Sequence, residues 1–215
     1  VRIRIVKTLN SINSDLLDEL FELAALDTSS NVRAEALHII NNTNITDENA
    51  IRFLSKIITV GSLKEKQKAL LSLGSYSNIM AVEELKLNFN NLVNRTLNPS
   101  LELELGEAIL KQNNPELVVE YNQYLNGQFS IDSLSVYKAL LFGGNAKSGK
   151  QIFYNNQSAQ CQRCHGLGSS VQLAGPDLLK VSSRLSRIEI LESLIEPSNQ
   201  ITNGYGFVTV ELRDN

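Results

Sequence analysis

The chain has 215 residues, 42% hydrophobic and 20% charged, enough for an ordinary packed core in one large domain or two smaller ones. A formal net charge of −3 argues against a nucleic-acid partner, which calls for a basic face. No apolar run approaches the length needed to span a bilayer, so no transmembrane segment is expected.

Residues 1–130 read as successive amphipathic helices at a period of about 3.6 residues. Residues 1–9 open the pattern, and Leu16, Leu17, Leu20, Phe21 and Ala24 mark a second stripe with Ser14 as its cap. Val32-Arg33 starts a third helix and echoes Val1-Arg2. Residues 51–60 and 63–73 make a pair split by Gly61-Ser62, and residues 82–93 and 101–112 another split by Asn98-Pro99-Ser100. Equivalent second helices recur about 31 to 38 residues apart, near the period of stacked two-helix repeats. Such pairs bury their apolar faces only by stacking on neighbours. The Val-Arg pairs resemble HEAT repeats, with an irregular helical bundle as the alternative. Leu70, Leu71, Leu73, Ile109 and Leu110 are assigned to the core. Pro115 starts a further helix that fades at Gly127, residues 133–142 form one more, and Gly143-Gly144 breaks it. Residues 131–144 are thus a connecting segment, and residues 145–215 a second domain.

Both cysteines and one of the two histidines fall in Cys161-Gln162-Arg163-Cys164-His165. Two thiols on one short turn can add across the two vinyl groups of a haem, and the following histidine can then ligate the iron. Three other readings compete. Zinc wants four ligands, and no second Cys or His pair completes a set. A thioredoxin-like redox pair wants a βαβ context, which the pattern lacks. A disulfide would close almost no loop and contribute little.

Around this motif, Asn145 can cap a helix, Gly149 sits within it at a cost of about 1 kcal/mol, and Phe153 follows four residues on. Gly175-Pro176-Asp177-Leu178 comes after the motif, then Arg184, then an amphipathic helix from Ser186 with Glu189 completing a capping box. Ile188, Ile190, Leu191, Leu194 and Ile195 form its apolar face, and Pro197 ends it. Asn203-Gly204-Tyr205-Gly206 leads into an alternating run, residues 207–212, that predicts a β-strand.

This order of parts resembles the class I cytochromes c, and in particular a haem-binding domain of multidomain proteins of planctomycete, verrucomicrobial and Bacteroidota type. The resemblance covers residues 135–215. It implies a mainly α chain: a HEAT-like α-solenoid, then a cytochrome c-like haem domain with the start of a small inserted β-sheet. It implies one covalent haem c per chain, with Cys161 and Cys164 as attachment points and His165 as the iron ligand. By the same resemblance, Gly149 lets the first helix cross the last closely, and Phe153 and Leu178 pack on the porphyrin. Pro176 would offer its carbonyl to His165 Nδ1–H, and Arg184 would hold a propionate or stand as an exposed cation.

The sixth ligand in such domains is commonly methionine. Met80 reads as filler in the repeat region and His38 as a partly buried histidine, so the ligand is expected beyond Asn215 and the chain as a piece of a longer, exported (periplasmic) protein. The function expected is single-electron transfer, with a fused or partner dehydrogenase as donor and a possible protein partner on the repeat surface. The alternative is a protein-interaction scaffold whose haem is structural or sensory. An enzyme acting at an open distal face, such as a peroxidase, would need a general base, for which His38 is the sole candidate.

Overall fold

The computed structural model describes residues 1–129, 134–141, 144–168, 173–206 and 209–211. It divides into two compact units, Val1–Gly143 and Gly144–Asn215. The chain is mainly helical.

The first unit carries α1 (Arg2–Ser11), α2 (Leu17–Ala25), α3 (Ser30–Ile39), α4 (Asp47–Val60), α5 (Leu63–Leu73), α6 (Ile79–Val93), α7 (Glu102–Gln112) and α8 (Pro115–Phe129). Several starts are set by side chains that accept otherwise unpaired N–H groups. Thr46 receives Asn49 N–H, Asn78 receives Met80 N–H, and Asn114 receives Leu117 N–H. Ser62 and Glu65 close a capping box on α5. Ser14 lies two residues too early to cap α2: its hydroxyl accepts from Leu16, and Leu16 itself occupies the cap position. The predicted helix over 133–142 is a 3₁₀ segment, Ser135–Leu141, within the described residues.

Packing follows two rows. α1, α3, α5 and α7 contact one another in succession, as do α2, α4, α6 and α8. Side-chain bonds tie the first row together: Asn41 to Ser72 at 3.2 Å, Gln67 to the Ser100 carbonyl at 2.8 Å, and Lys111 to Ser75 at 2.8 Å. The most buried is the fork between Arg33 and Glu65, with Nε–Oε1 3.1 Å and Nη2–Oε2 3.0 Å. Arg33 also donates to the Asp27 carbonyl at 2.6 Å, while Arg2 pairs with the Asp27 carboxylate at 2.9 Å. The two Val-Arg pairs therefore converge on one turn.

Between the rows lies one continuous core that includes Phe21, Leu54, Ile57, Leu70, Leu73, Leu85, Leu105 and Ile109, with Phe21 and Phe53 meeting edge to face. Leu71 is only half-buried and Leu110 is exposed, because they lie on the outer sides of α5 and α7. Met80 is half-buried against the core, whereas His38 is exposed rather than partly buried. Gly106 on α7 lets α8 approach: a Cβ there would stand 2.1 Å from the Tyr121 hydroxyl.

The second unit holds α9 (Ala146–Asn155), α10 (Arg187–Ile195) and two 3₁₀ turns, Cys161–Arg163 and Val181–Ser183. Asn145 caps α9, accepting from Lys147 and Ser148, and Ser186 with Glu189 closes the capping box of α10. Three expectations change here. Among the described residues nothing lies within 4 Å of where a Gly149 Cβ would stand, so no close helix crossing is seen there. On α10 only Leu191 is buried; Ile190 and Ile195 are half-buried, and Ile188 and Leu194 are exposed. Thr209, Val210 and Glu211 are irregular, and the rest of the predicted strand lies outside the described residues. A strand needs a partner to satisfy its backbone groups, and no strand occurs among the described residues.

Candidate functional site

The Cys-Gln-Arg-Cys-His run folds as one tight turn. Gln160 enters it in a left-handed conformation (φ 46°), and the Cys161 carbonyl accepts from both Cys164 N–H (3.2 Å) and His165 N–H (3.0 Å). Gln160 is anchored from both sides, since its N–H reaches the Asn156 carbonyl and its side chain accepts from Arg163 at 2.6 Å. Both cysteines are free thiols, Cys161 half-buried and Cys164 exposed. The turn packs against α9, which brings Phe153 nearby as a half-buried ring meeting Tyr154 edge to face at 5.1 Å.

The imidazole of His165 is held from the far side of the loop. Its Nδ1 lies 2.9 Å from the Pro176 carbonyl. A carbonyl can only accept, so this contact selects the Nδ1–H tautomer and leaves Nε2 with its lone pair free to ligate. Gly175 lies directly against the ring: a Cβ there would stand 2.6 Å from His165 Cε1 and 2.8 Å from Nδ1. Two backbone bonds frame this contact, Gly175 N–H to the Cys164 carbonyl (2.7 Å) and Leu178 N–H to the Gly166 carbonyl (2.8 Å).

Asp177 braces the same loop. Its carboxylate accepts from Gly168 N–H at 2.7 Å and from Leu179 N–H at 2.8 Å, and its carbonyl accepts from Arg184 at 3.2 Å. Gly175 and Asp177 belong to a run recognised in the sequence, but neither received a role there. The readable signal was the Asp two residues before a free N–H, a local turn former; the nine-residue reach to Gly168 has no local signature.

Pro176, Asp177 and Arg184 line an open cleft of about 570 Å³ with Lys180, Ser183 and Tyr205. Cys161, Cys164, His165, Phe153 and Leu178 are not among the described residues that line it. Grooves of about 540 and 720 Å³ on the first unit are as large, so chemistry and not size selects this site. Leu178 is half-buried and Arg184 exposed.

The residues fit a large, flat, apolar group on two counts. Two thiols and an oriented imidazole Nε2 come from one turn. Among the described residues of the second unit, Leu191 is the one buried apolar side chain, while Ile152, Leu167, Leu179 and Ile201 stand exposed. Those exposed apolar side chains leave surface that an apolar group could cover. A lone metal ion fits less well, since no group of three or more His, Cys, Asp or Glu is placed to hold one among the described residues. No described helix is long and apolar enough to cross a membrane.

No protein-family model matches this chain, and no similar curated protein or solved structure was found.

Proposed function

We propose that the chain is a mono-haem c-type cytochrome module on a HEAT-like α-solenoid, transferring single electrons within an exported protein. The observation that carries this reading is the 2.9 Å contact of His165 Nδ1 with the Pro176 carbonyl, beside two free thiols on the same turn. Covalently bound haem supplies a one-electron iron couple. Cys161 and Cys164 would hold the group through two thioether bonds, each thiol placing its sulfur on one carbon of a vinyl group and its hydrogen on the other. His165 would offer Nε2 to the iron, with the Pro176 carbonyl at Nδ1 fixing the tautomer and making the imidazole more basic. Phe153 and Leu178 would offer apolar surface, and Lys180 and Arg184, which line the cleft together with Asp177, would offer cations to propionates. Electrons would come from a fused or partner dehydrogenase.

Expression with a haem-maturation system, followed by intact mass and an absorption spectrum, tests the proposal. A haem mass retained under denaturation with a reduced α band supports it. An unmodified mass alongside a well-matured control cytochrome overturns it.

A second reading, a protein-interaction scaffold with a structural or sensory haem, is favoured by the row of α2, α4 and α6. Leu26, Val60 and Leu87 are exposed there, around a groove of about 720 Å³ bordered by Glu22, Arg52 and Lys56. Slow or absent reduction of the loaded chain by small electron donors selects this reading over electron transfer.

A further inference from the structure

We propose that Asp177 is the positioning residue for His165, clamping the loop so that the imidazole is oriented before any haem is attached; the inference rests on the haem reading for its purpose but not for its test. The carboxylate of Asp177 joins two stretches of the loop. Oδ2 accepts from Gly168 N–H at 2.7 Å and Oδ1 from Leu179 N–H at 2.8 Å. The same loop carries the Leu178–Gly166 backbone bond and the Gly175 contact with the ring, the two features that frame the His165–Pro176 bond.

The geometry makes the clamp act at a distance of one residue. Pro176 precedes Asp177, so rotation of the Asp177 backbone swings the Pro176 carbonyl directly. Arg184 restrains that rotation from outside through the Asp177 carbonyl. Gly168 has φ 85°, and the Leu179 side chain lies 3.1 Å from where a Cβ would be. Its N–H is therefore turned toward Asp177 by a backbone conformation that other residues rarely adopt. An ionised carboxylate supplies acceptors on both oxygens, whereas an amide supplies one. Bonds to a charged acceptor are also stronger than neutral ones. Asn at 177 thus keeps the shape and at most one of the two bonds.

The full chain with reduced thiols and no haem provides the test. It has only two histidines, and exposed His38 serves as an internal reference for an unrestrained ring. Long-range proton–nitrogen correlation of ¹⁵N-labelled chain in mildly alkaline buffer reads the tautomer of each. The wild-type chain should show His165 as Nδ1–H and His38 as the mixture of a free imidazole. Asp177→Ala should lower the Nδ1–H to Nε2–H ratio of His165 on the order of tenfold, the weight of one ordinary hydrogen bond, and leave His38 unchanged. Asp177→Asn should fall between. A wild-type ratio in both variants overturns the proposal. If Asp177→Ala unfolds the second unit, Asp177→Asn decides: an intermediate ratio supports the clamp and a wild-type ratio overturns it. Failure of the haem reading would show separately, as an unmodified mass in the maturation experiment, with this tautomer series unaffected.

Discussion

Gly175 and His165 are in contact closely enough that the glycine has no room for a side chain: a Cβ would come within 2.6 Å of the imidazole. The ring is thus gripped by shape on one side and by the Pro176 carbonyl at Nδ1. Gly175→Ala should push the ring off its acceptor. In a haem-loaded chain the ligand becomes less basic and stabilises the oxidised iron less, so the midpoint potential should rise. Potentiometric titration of wild type and variant reads the shift, while unchanged helical circular dichroism shows that the first unit is intact. A fall in potential would contradict this account of the ring.

The two thiols should act independently in attachment. Cys161→Ser and Cys164→Ser each leave one sulfur, and each single variant should retain haem mass under denaturation at reduced yield. The double variant should lose it entirely. Intact mass with thiol alkylation counts the remaining free sulfurs. Retention of haem mass by the double variant would show attachment through other groups.

Glu65 ties the helix rows to pH. Burial pushes its carboxyl up, but hydrogen bonds from Arg33 and Ser62 together outweigh that and hold it below the ordinary value of 4.5. A carboxyl lowered in the folded state contributes stability that is present above the unfolded value and lost as pH falls through the folded one. Thermal stability should therefore drop below about pH 4.5, and Glu65→Gln should flatten that part of the profile. Removing the Glu65 carboxylate loses charge-assisted hydrogen bonds from Arg33 and should cost about 1.5–3 kcal/mol at neutral pH, measured by urea unfolding. A loss below about 0.5 kcal/mol would place the pair with ordinary surface bridges.

At the other end of the scale stand Tyr121 and Tyr124, both pushed up to about 12 by burial and by the charge of Glu102 nearby. A raised phenol contributes stability that is complete below the unfolded value of 10.0 and lost as pH climbs toward 12. Alkaline unfolding should begin between those limits, and Tyr121→Phe should delay it. The neighbouring contact gives an independent check. Gly106→Ala crowds the Tyr121 hydroxyl and should destabilise the chain by about 1–3 kcal/mol.

Helix positions were legible where periodicity and caps agreed. α5 begins at Leu63 and ends at Leu73, flanked by Ser62 and Gly74, because the capping box and the apolar stripe mark the same limits. α4 begins four residues earlier than its apolar stripe because Thr46 caps it, and it opens on the exposed, charged Asp47 and Glu48. The exposed faces of Ile188 and Leu194 could not be read from α10 alone, since amphipathicity states which side is apolar and not what covers it. In the candidate site, the two cysteines and His165 were visible as a spaced motif. Their support was not: the grip of Gly175 and the span of Asp177 depend on loop residues brought together only by folding.

The two-row stacking has a kinetic consequence. In the first unit each helix contacts mainly those one or two places away in the chain. Few long loops must close before contacts form, a topology that favours rapid folding. The Arg33–Glu65 fork, spanning 32 residues, marks the typical reach of such contacts. A chain emerging from the ribosome could thus lay down α1 to α8 in order, each new helix finding a platform already in place before residues 161–165 are synthesised.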